Sequence, residues 1–322
     1  MKAIHILGLE VLTALSTFSR PAAAKQSANW AIDSETCYRR PFAPLEVQRA
    51  LNIAKHVVNN LADGNYDATI QNFIQVLFNQ DTDGVGLEWV QDVFAGEGPE
   101  NLPGIANFDN KVDDDEVEAG DLIVYCGGES LWHTMPSEDD VMLPAIYEAA
   151  SNTMFPGVLP LCGEHYEGPQ EGDPRVSVPM VVTTAADGIN RIYICSWMIT
   201  DLLISTENLP GDYTVYPDSR NARELRARIN NWPLGENRFG AGTGLTSFIN
   251  RFLQFDIMFI EALTKTAAGG FRQNHLGFPL GWQDTIKLSM TGPGVAAIVK
   301  YNSGTYMFFA LGKLKRKRCI RP

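Results

Sequence analysis

Apolar residues recur at helical spacing behind Pro44, where Leu51, Ala54, Val58 and Leu61 lie three and four apart and predict a helix over 45–62. Asp63-Gly64-Asn65 supplies the turn residues that end it, and 67–78 reads as a second helix. From 79 to 120 the periodicity gives way to a long loop-rich region. The acidic run Asp113-Asp114-Asp115-Glu116 within it reads as a solvated loop. Leu122 to Cys126 is a short unbroken apolar run, a strand. The segments 176–184 and 191–197 are β-rich and separated by Asp187-Gly188, which is a hairpin signal. Asp218 or Ser219 caps a charged helix through about 231, with Glu224 and Arg228 at i,i+4 spacing. Longer helices are expected over 243–264 and 293–314. The mixture predicts an α+β fold with helices at the two ends and strands in the middle, undivided by any repeat or linker.

The 243–264 helix has the most distinctive pattern. Leu245, Phe248, Ile249, Phe252, Leu253, Phe255, Phe259, Ile260 and Leu263 cover most of its circumference, so it belongs inside a large core. One narrow polar stripe remains, made of Thr243, Ser247, Asn250, Gln254 and Glu261. Asn250 and Gln254 are four apart and project from one face, one turn apart.

Composition narrows the class. The chain has 322 residues, 45% of them apolar and 20% charged, which allows a large core and excludes general disorder. A formal charge of −12 argues against nucleic acid as a partner, because neutralising phosphates takes a basic face. No later run is long and apolar enough to predict a membrane span. Met1-Lys2, an apolar stretch to Phe18 and Ala22-Ala23-Ala24 together read as a secretory signal peptide over 1–24, although Glu10 and His5 interrupt the stretch. Secretion is therefore expected, with one domain over 25–312 and a basic tail over 313–322 that reads as a frayed polar end. Cys37, Cys126, Cys162 and Cys195 are disulfide candidates, and four cysteines allow three connectivities. Cys319, in the basic tail, is the odd one out.

Several segments together resemble the fungal secreted zinc endopeptidases of the deuterolysin and peptidyl-Lys endopeptidase type, the aspzincins. Those enzymes carry H-E-x-x-H on a buried helix, a third Asp ligand downstream, and a C-terminal motif close to N-A-D-S-Y-x-x-F-A. Asn302-Ser303-Gly304-Thr305-Tyr306 followed by Phe309-Ala310 is similar to that last motif in spacing and largely in type. Thr291-Gly292-Pro293 resembles the Tyr-Gly-Pro before it. Ile192 to Cys195 is similar to the short strand ending in Cys that precedes the metal helix, and Ile32 to Cys37 with the 45–62 helix to the family's opening. The resemblance runs from about residue 30 to 311 and implies a zincin-like metallopeptidase fold around the 243–264 helix.

It also implies where the chemistry departs. Aligned on the apolar positions, Asn250-Arg251-Phe252-Leu253-Gln254 stands where an active relative has His-Glu-x-x-His. Neutral amides coordinate zinc poorly beside imidazole, thiolate or carboxylate. Arg251 stays protonated and has no lone pair with which to act as a base on metal-bound water. Asp284 is the nearest candidate for the third ligand, and one carboxylate alone does not hold zinc. Asn250, Arg251, Gln254 and Asp284 are thus vestigial site positions, no catalytic or metal-ligating residue is assigned, and no cofactor is expected. The expectation is a secreted pseudoenzyme that acts by binding an extracellular protein or peptide. An active zinc endopeptidase with a different ligand set, and an extracellular structural protein without peptidase ancestry, are the alternatives.

Other constellations are weaker. The five histidines, His5, His56, His133, His165 and His275, share no metal-ligand spacing, and surface or structural roles are expected for them. Asp81 to Asp92 has part of a calcium-loop pattern, but Val85 fills a ligand position and Asp92 stands where a bidentate Glu belongs, so a polar turn is expected. The glycines at 240, 242 and 244 lack the Lys-Ser/Thr of a phosphate loop and read as a flexible helix entry.

Overall fold

The computed structural model describes residues 27–38, 40, 42–62, 68–78, 85–97, 100–127, 131–135, 145–156, 180–196, 199, 255–272, 285–286, 289–290 and 296–310. Eight strands and five helices can be placed in chain order among them: β1 (Ala28–Ile32), α1 (Phe42–Ala62), α2 (Ala68–Phe78), α3 (Val85–Ala95), β2 (Phe108–Lys111), β3 (Leu122–Cys126), β4 (Trp132–Met135), β5 (Ala145–Glu148), β6 (Thr153–Pro156), β7 (Met180–Thr184), β8 (Asn190–Ile194), α4 (Phe255–Thr264) and α5 (Ala296–Tyr301). Residues 303–310 are helical as well. The fold is α+β.

The main sheet has the order β2-β1-β3-β8-β7. β2, β1, β3 and β8 run parallel, and β7 pairs antiparallel with β8 at the edge. All five residues of β3 and of β8 are buried, as central strands with both faces covered must be. The period of two divides their side chains between two cores. Leu122, Val124, Cys126, Ile192 and Ile194 join the helical core with Val47, Leu51, Phe259 and Leu263. Ile123, Tyr125, Tyr193 and Cys195 belong to a second core with Val181, against which Trp132 packs. The meander β4-β5-β6 lies on that second side.

Two buried polar side chains fix the end of the sheet where β3 and β8 begin. Asp121 accepts the backbone N–H of Asn29 (2.7 Å) and of Glu118 (3.1 Å). Asn190 donates through Nδ2 to the carbonyls of Gly120 and Asp121 (both 3.2 Å), and its Oδ1 accepts the N–H of Ala267 (2.9 Å). Asn190 therefore ties β8 to the turn that follows α4. At the other end a disulfide joins Cys37, after β1, to Cys126, the last residue of β3, across 89 residues of chain. This selects one pairing among the candidate cysteines. Cys195 is disulfide-bonded too, while Cys162 and Cys319 lie outside the described residues.

Several expectations need correction. The 79–120 region is not mainly loop: it contains α3 and the edge strand β2. Asp92 is no metal ligand there. It sits inside α3, fully buried, and accepts the N–H groups of Glu100 (3.0 Å) and Leu102 (3.5 Å). The acidic run forms a short 3₁₀ turn at Asp114–Glu116, and Asp114 accepts the Ser34 N–H (2.6 Å). β1, which no alternation marked, lies beside β3 inside the sheet, so strands are not confined to the middle of the chain. The last helix is divided at Asn302. The hairpin at Asp187-Gly188 forms between β7 and β8, with Gly188 in the left-handed region (φ 76°) and Asp187 Oδ1 accepting the Ile189 N–H (3.0 Å). The signal segment, the 218–231 helix and the basic tail lie outside the described residues.

Candidate functional site

The site positions expected from the sequence are Asn250, Arg251, Gln254 and Asp284, and all four lie outside the described residues. Their chain neighbours are described. Phe255, directly after Gln254, and Thr285, directly after Asp284, are both buried. α4 packs against α1 and β7, with Phe255, Phe259, Ile260 and Leu263 in the helical core. Burial on that scale follows from a helix apolar around most of its surface.

Glu261 continues the polar stripe of this helix. Its Oε1 accepts from Lys265 Nζ (2.9 Å) and from Ser303 Oγ (3.3 Å). The stripe thus meets the segment Asn302 to Tyr306, the same segment that resembles the peptidases' C-terminal motif. Asn302 Nδ2 donates to Thr305 Oγ1 (2.8 Å), leaving Asn302 Oδ1 buried without a partner among the described residues. A Cβ on Gly304 would stand 3.7 Å from that oxygen and 3.6 Å from Thr285 Oγ1. Tyr306 donates to the Lys300 carbonyl (2.7 Å), and burial drives its hydroxyl pKa well above the ordinary tyrosine range. These groups are hydroxyls, amides and one ion-paired carboxylate. They support hydrogen bonding.

The residues at 250, 251 and 254 do not fit zinc, since two carboxamides and a guanidinium are a poor donor set for it. Among the described residues, no group of three or more His, Cys, Asp or Glu side chains is placed to hold a metal ion. His133 is exposed and stacks on Tyr147, and the His56 ring lies 2.9 Å from Asn60 Nδ2. His165 and His275 lie outside the described residues.

Two buried charge clusters were not anticipated from sequence. The first lies between the two sheets. Glu148, fully buried at the end of β5, accepts from Thr183 Oγ1 (2.6 Å) and from Ser151 Oγ. Arg191 places Nε 4.0 Å from the same carboxylate and donates through Nη1 (3.0 Å) and Nη2 (2.6 Å) to Asp187. Tyr125 and Tyr193 stack beside it (4.7 Å between centroids), and burial raises both hydroxyl pKa values, with the Glu148 charge adding to the effect at Tyr193. Burial alone would raise the Asp187 carboxyl, but the Arg191 hydrogen bonds and charge, with the Ile189 N–H, together hold it below the usual range.

The second cluster lies in the helical layer. Glu100 joins two cations, with Arg272 Nη2 2.7 Å from its Oε2 and Lys300 Nζ 2.5 Å from its Oε1. Arg272 is fully buried, yet its Nε and Nη1 have no hydrogen-bond partner among the described residues. Burial would raise the Glu100 carboxyl, and the bonds from Lys300 and Arg272 more than reverse this. Asp92 beneath it behaves oppositely: burial raises its pKa despite the two backbone N–H donors. The i,i+4 spacing of Asp187 and Arg191 carried a local signal for the first cluster; nothing local marks Glu100, Arg272 and Lys300 as neighbours.

Neither a family model, nor a curated protein, nor a solved structure matches this chain.

Proposed function

We propose that this chain is a secreted protein on a zincin-like, metallopeptidase-derived scaffold that has lost its hydrolytic metal site and acts by binding an extracellular protein or peptide. The observation that carries the reading is the sequence Asn250-Arg251-Phe252-Leu253-Gln254, which runs directly into the buried helix Phe255–Thr264. A metal-bearing helix needs a rigid, core-packed support, and α4 has one on α1 and β7. Supporting it further, the Asn302–Tyr306 segment reaches this helix through Ser303 and Glu261, and Thr285 lies beside Gly304. The disulfide Cys37–Cys126 is compatible with an oxidising compartment. No helix among the described residues is long and apolar enough to cross a membrane.

The test is metal analysis of the purified protein together with casein cleavage, with and without chelator. Folded protein without zinc and without cleavage is the expected result. Stoichiometric zinc that disappears in Asp284→Asn, with chelator-sensitive hydrolysis, would overturn the proposal. Mapping the mature N-terminus from culture medium tests secretion separately, and a start near Lys25 is expected.

A further inference from the structure

We propose that Arg272 and Lys300, walled by Trp89, Tyr301 and Tyr306, form a binding site for the carboxylate of an aromatic or peptide ligand, and that Glu100 is its built-in, displaceable occupant. This inference goes beyond the pseudoenzyme reading and does not depend on it.

The geometry begins with unequal numbers of donors and acceptors. A guanidinium presents five N–H donors in its own plane. Arg272 uses Nη2 on Glu100 and leaves Nε and Nη1 unmatched in the interior. An unmatched buried donor is costly, and a charged one more so. The aromatic rings do not remove this cost. Arg272 Cζ lies 5.0 Å from the Tyr301 centroid and 5.7 Å from that of Tyr306, so both rings interact with the cation. That contact stabilises the charge but gives the in-plane N–H groups no oxygen acceptor. Lys300 Nζ stands 5.7 Å from the Trp89 ring and 5.4 Å from the Tyr301 ring, which repeats the arrangement with a second cation. Two cations share one carboxylate, and Asp92, whose carboxylate feels the Arg272 charge, is already occupied by the N–H groups of Glu100 and Leu102.

Glu100 is suited to be moved. Its backbone is anchored through Asp92, whereas its carboxylate is one-fifth exposed, and Lys300 is similarly exposed (21% and 18%). Solvent therefore reaches the outer edge of the ion pair while Arg272 lies beneath it. Rotation of the Glu100 side chain into water would uncover both cations without moving the backbone. Tyr301 is half exposed beside both cations and would flank an apolar group attached to the incoming carboxylate. Phe271 is held in the left-handed region (φ 53°), a conformation that a bulky residue adopts only when its surroundings enforce it. Gly270 makes the approach possible: a Cβ there would stand 2.8 Å from Leu102 Cδ1 and 3.4 Å from Arg272 Cζ.

The probe is phenylacetate, compared with phenylacetamide and with chloride at equal ionic strength, using the full chain. A saturable rise in melting temperature with phenylacetate alone is expected. Glu100→Gln removes the competing carboxylate and keeps the side-chain volume, so tenfold tighter binding by calorimetry is expected. Arg272→Met should bind at least tenfold more weakly than the parent. If that variant does not fold, Lys300→Met serves in its place and should lose severalfold in affinity. Equal responses to acid and amide in both the parent and Glu100→Gln would overturn the proposal and leave the cluster as a clamp. Undiminished binding by Arg272→Met would overturn it too.

Discussion

The two buried charge clusters lie in different layers and are built differently. Between the sheets, Arg191 meets Asp187 from the same hairpin, and the hydroxyls of Thr183 and Ser151 converge on Glu148. In the helical layer, Arg272 is 172 residues from Glu100, and two of its nitrogens have no partner among the described residues. A network whose donors gather around buried carboxylates has the form of a structural joint, here between β8 and the β4-β5-β6 meander. Arg191 Nε also lacks a hydrogen-bond partner among the described residues, so spare donors alone do not separate the two; two cations on one partly exposed carboxylate beside the half-exposed Tyr301 ring have the form of a binding site.

The largest effect is expected from breaking the joint. Arg191→Met strands Glu148, which has no solvent exposure, and should destabilise the fold by about 3–5 kcal/mol in urea titrations. Adding Glu148→Gln to it should recover part of that loss, because the stranded charge goes with its partner. Arg272→Met should cost less, about 1–2 kcal/mol, since Glu100 keeps Lys300 and partial hydration, and two unmatched donors are removed. Equal costs for the two arginine variants would erase the distinction between joint and site.

Acid titration sharpens the comparison at smaller amplitude. The Glu100 and Asp187 carboxyls are both held low in the folded state, so each contributes stability at neutral pH that is lost as pH falls through its depressed folded value. Asp92 is raised, so its contribution runs the other way, present in acid and lost as pH rises through its folded value. Glu100→Gln should therefore flatten the acid-side fall in stability, and Asp92→Asn should steepen it. Urea midpoints measured between pH 3 and 6 would show both, and identical profiles for the two variants would contradict the assignment.

The legible parts of the molecule are those set by local pattern. The α1 periodicity, the apolar run of β3, the Asp187-Gly188 turn and the apolar end of α4 each depend on neighbours in sequence, and each is found in the fold. β1 was not legible, because its neighbours in the sheet come from 108–111 and 122–126. The α3 helix was hidden by the surrounding Gly, Asp and Pro, and Asp92 looked like part of a turn because its partners are 8 and 10 residues away. Arg272 had no signal at all: its meaning comes from Glu100, Tyr301 and Tyr306, which folding alone assembles. Asn250, Arg251, Gln254 and Asp284 are singled out only by the resemblance, and they lie outside the described residues.

The smallest effect is expected at Gly304, where an acceptor without a partner among the described residues stands within contact distance of an added Cβ. Gly304 lies in the helical 303–310 stretch, and a glycine inside a helix costs roughly 0.5–1 kcal/mol relative to alanine. An added Cβ would meet Asn302 Oδ1, Asn302 Nδ2 and Thr285 Oγ1 at 3.6–3.7 Å, ordinary contact distances. Gly304→Ala should therefore stabilise by about 0.5–1 kcal/mol through the backbone alone. Gly304→Ser has lower helix propensity but brings a hydroxyl near Asn302 Oδ1, which lacks a donor. If the serine variant equals or exceeds the alanine one in urea midpoint, that oxygen is paired by the new hydroxyl. If serine falls below alanine by its propensity difference, the oxygen gains nothing. Spare hydrogen-bonding capacity at a neutral group would then be no mark of a site.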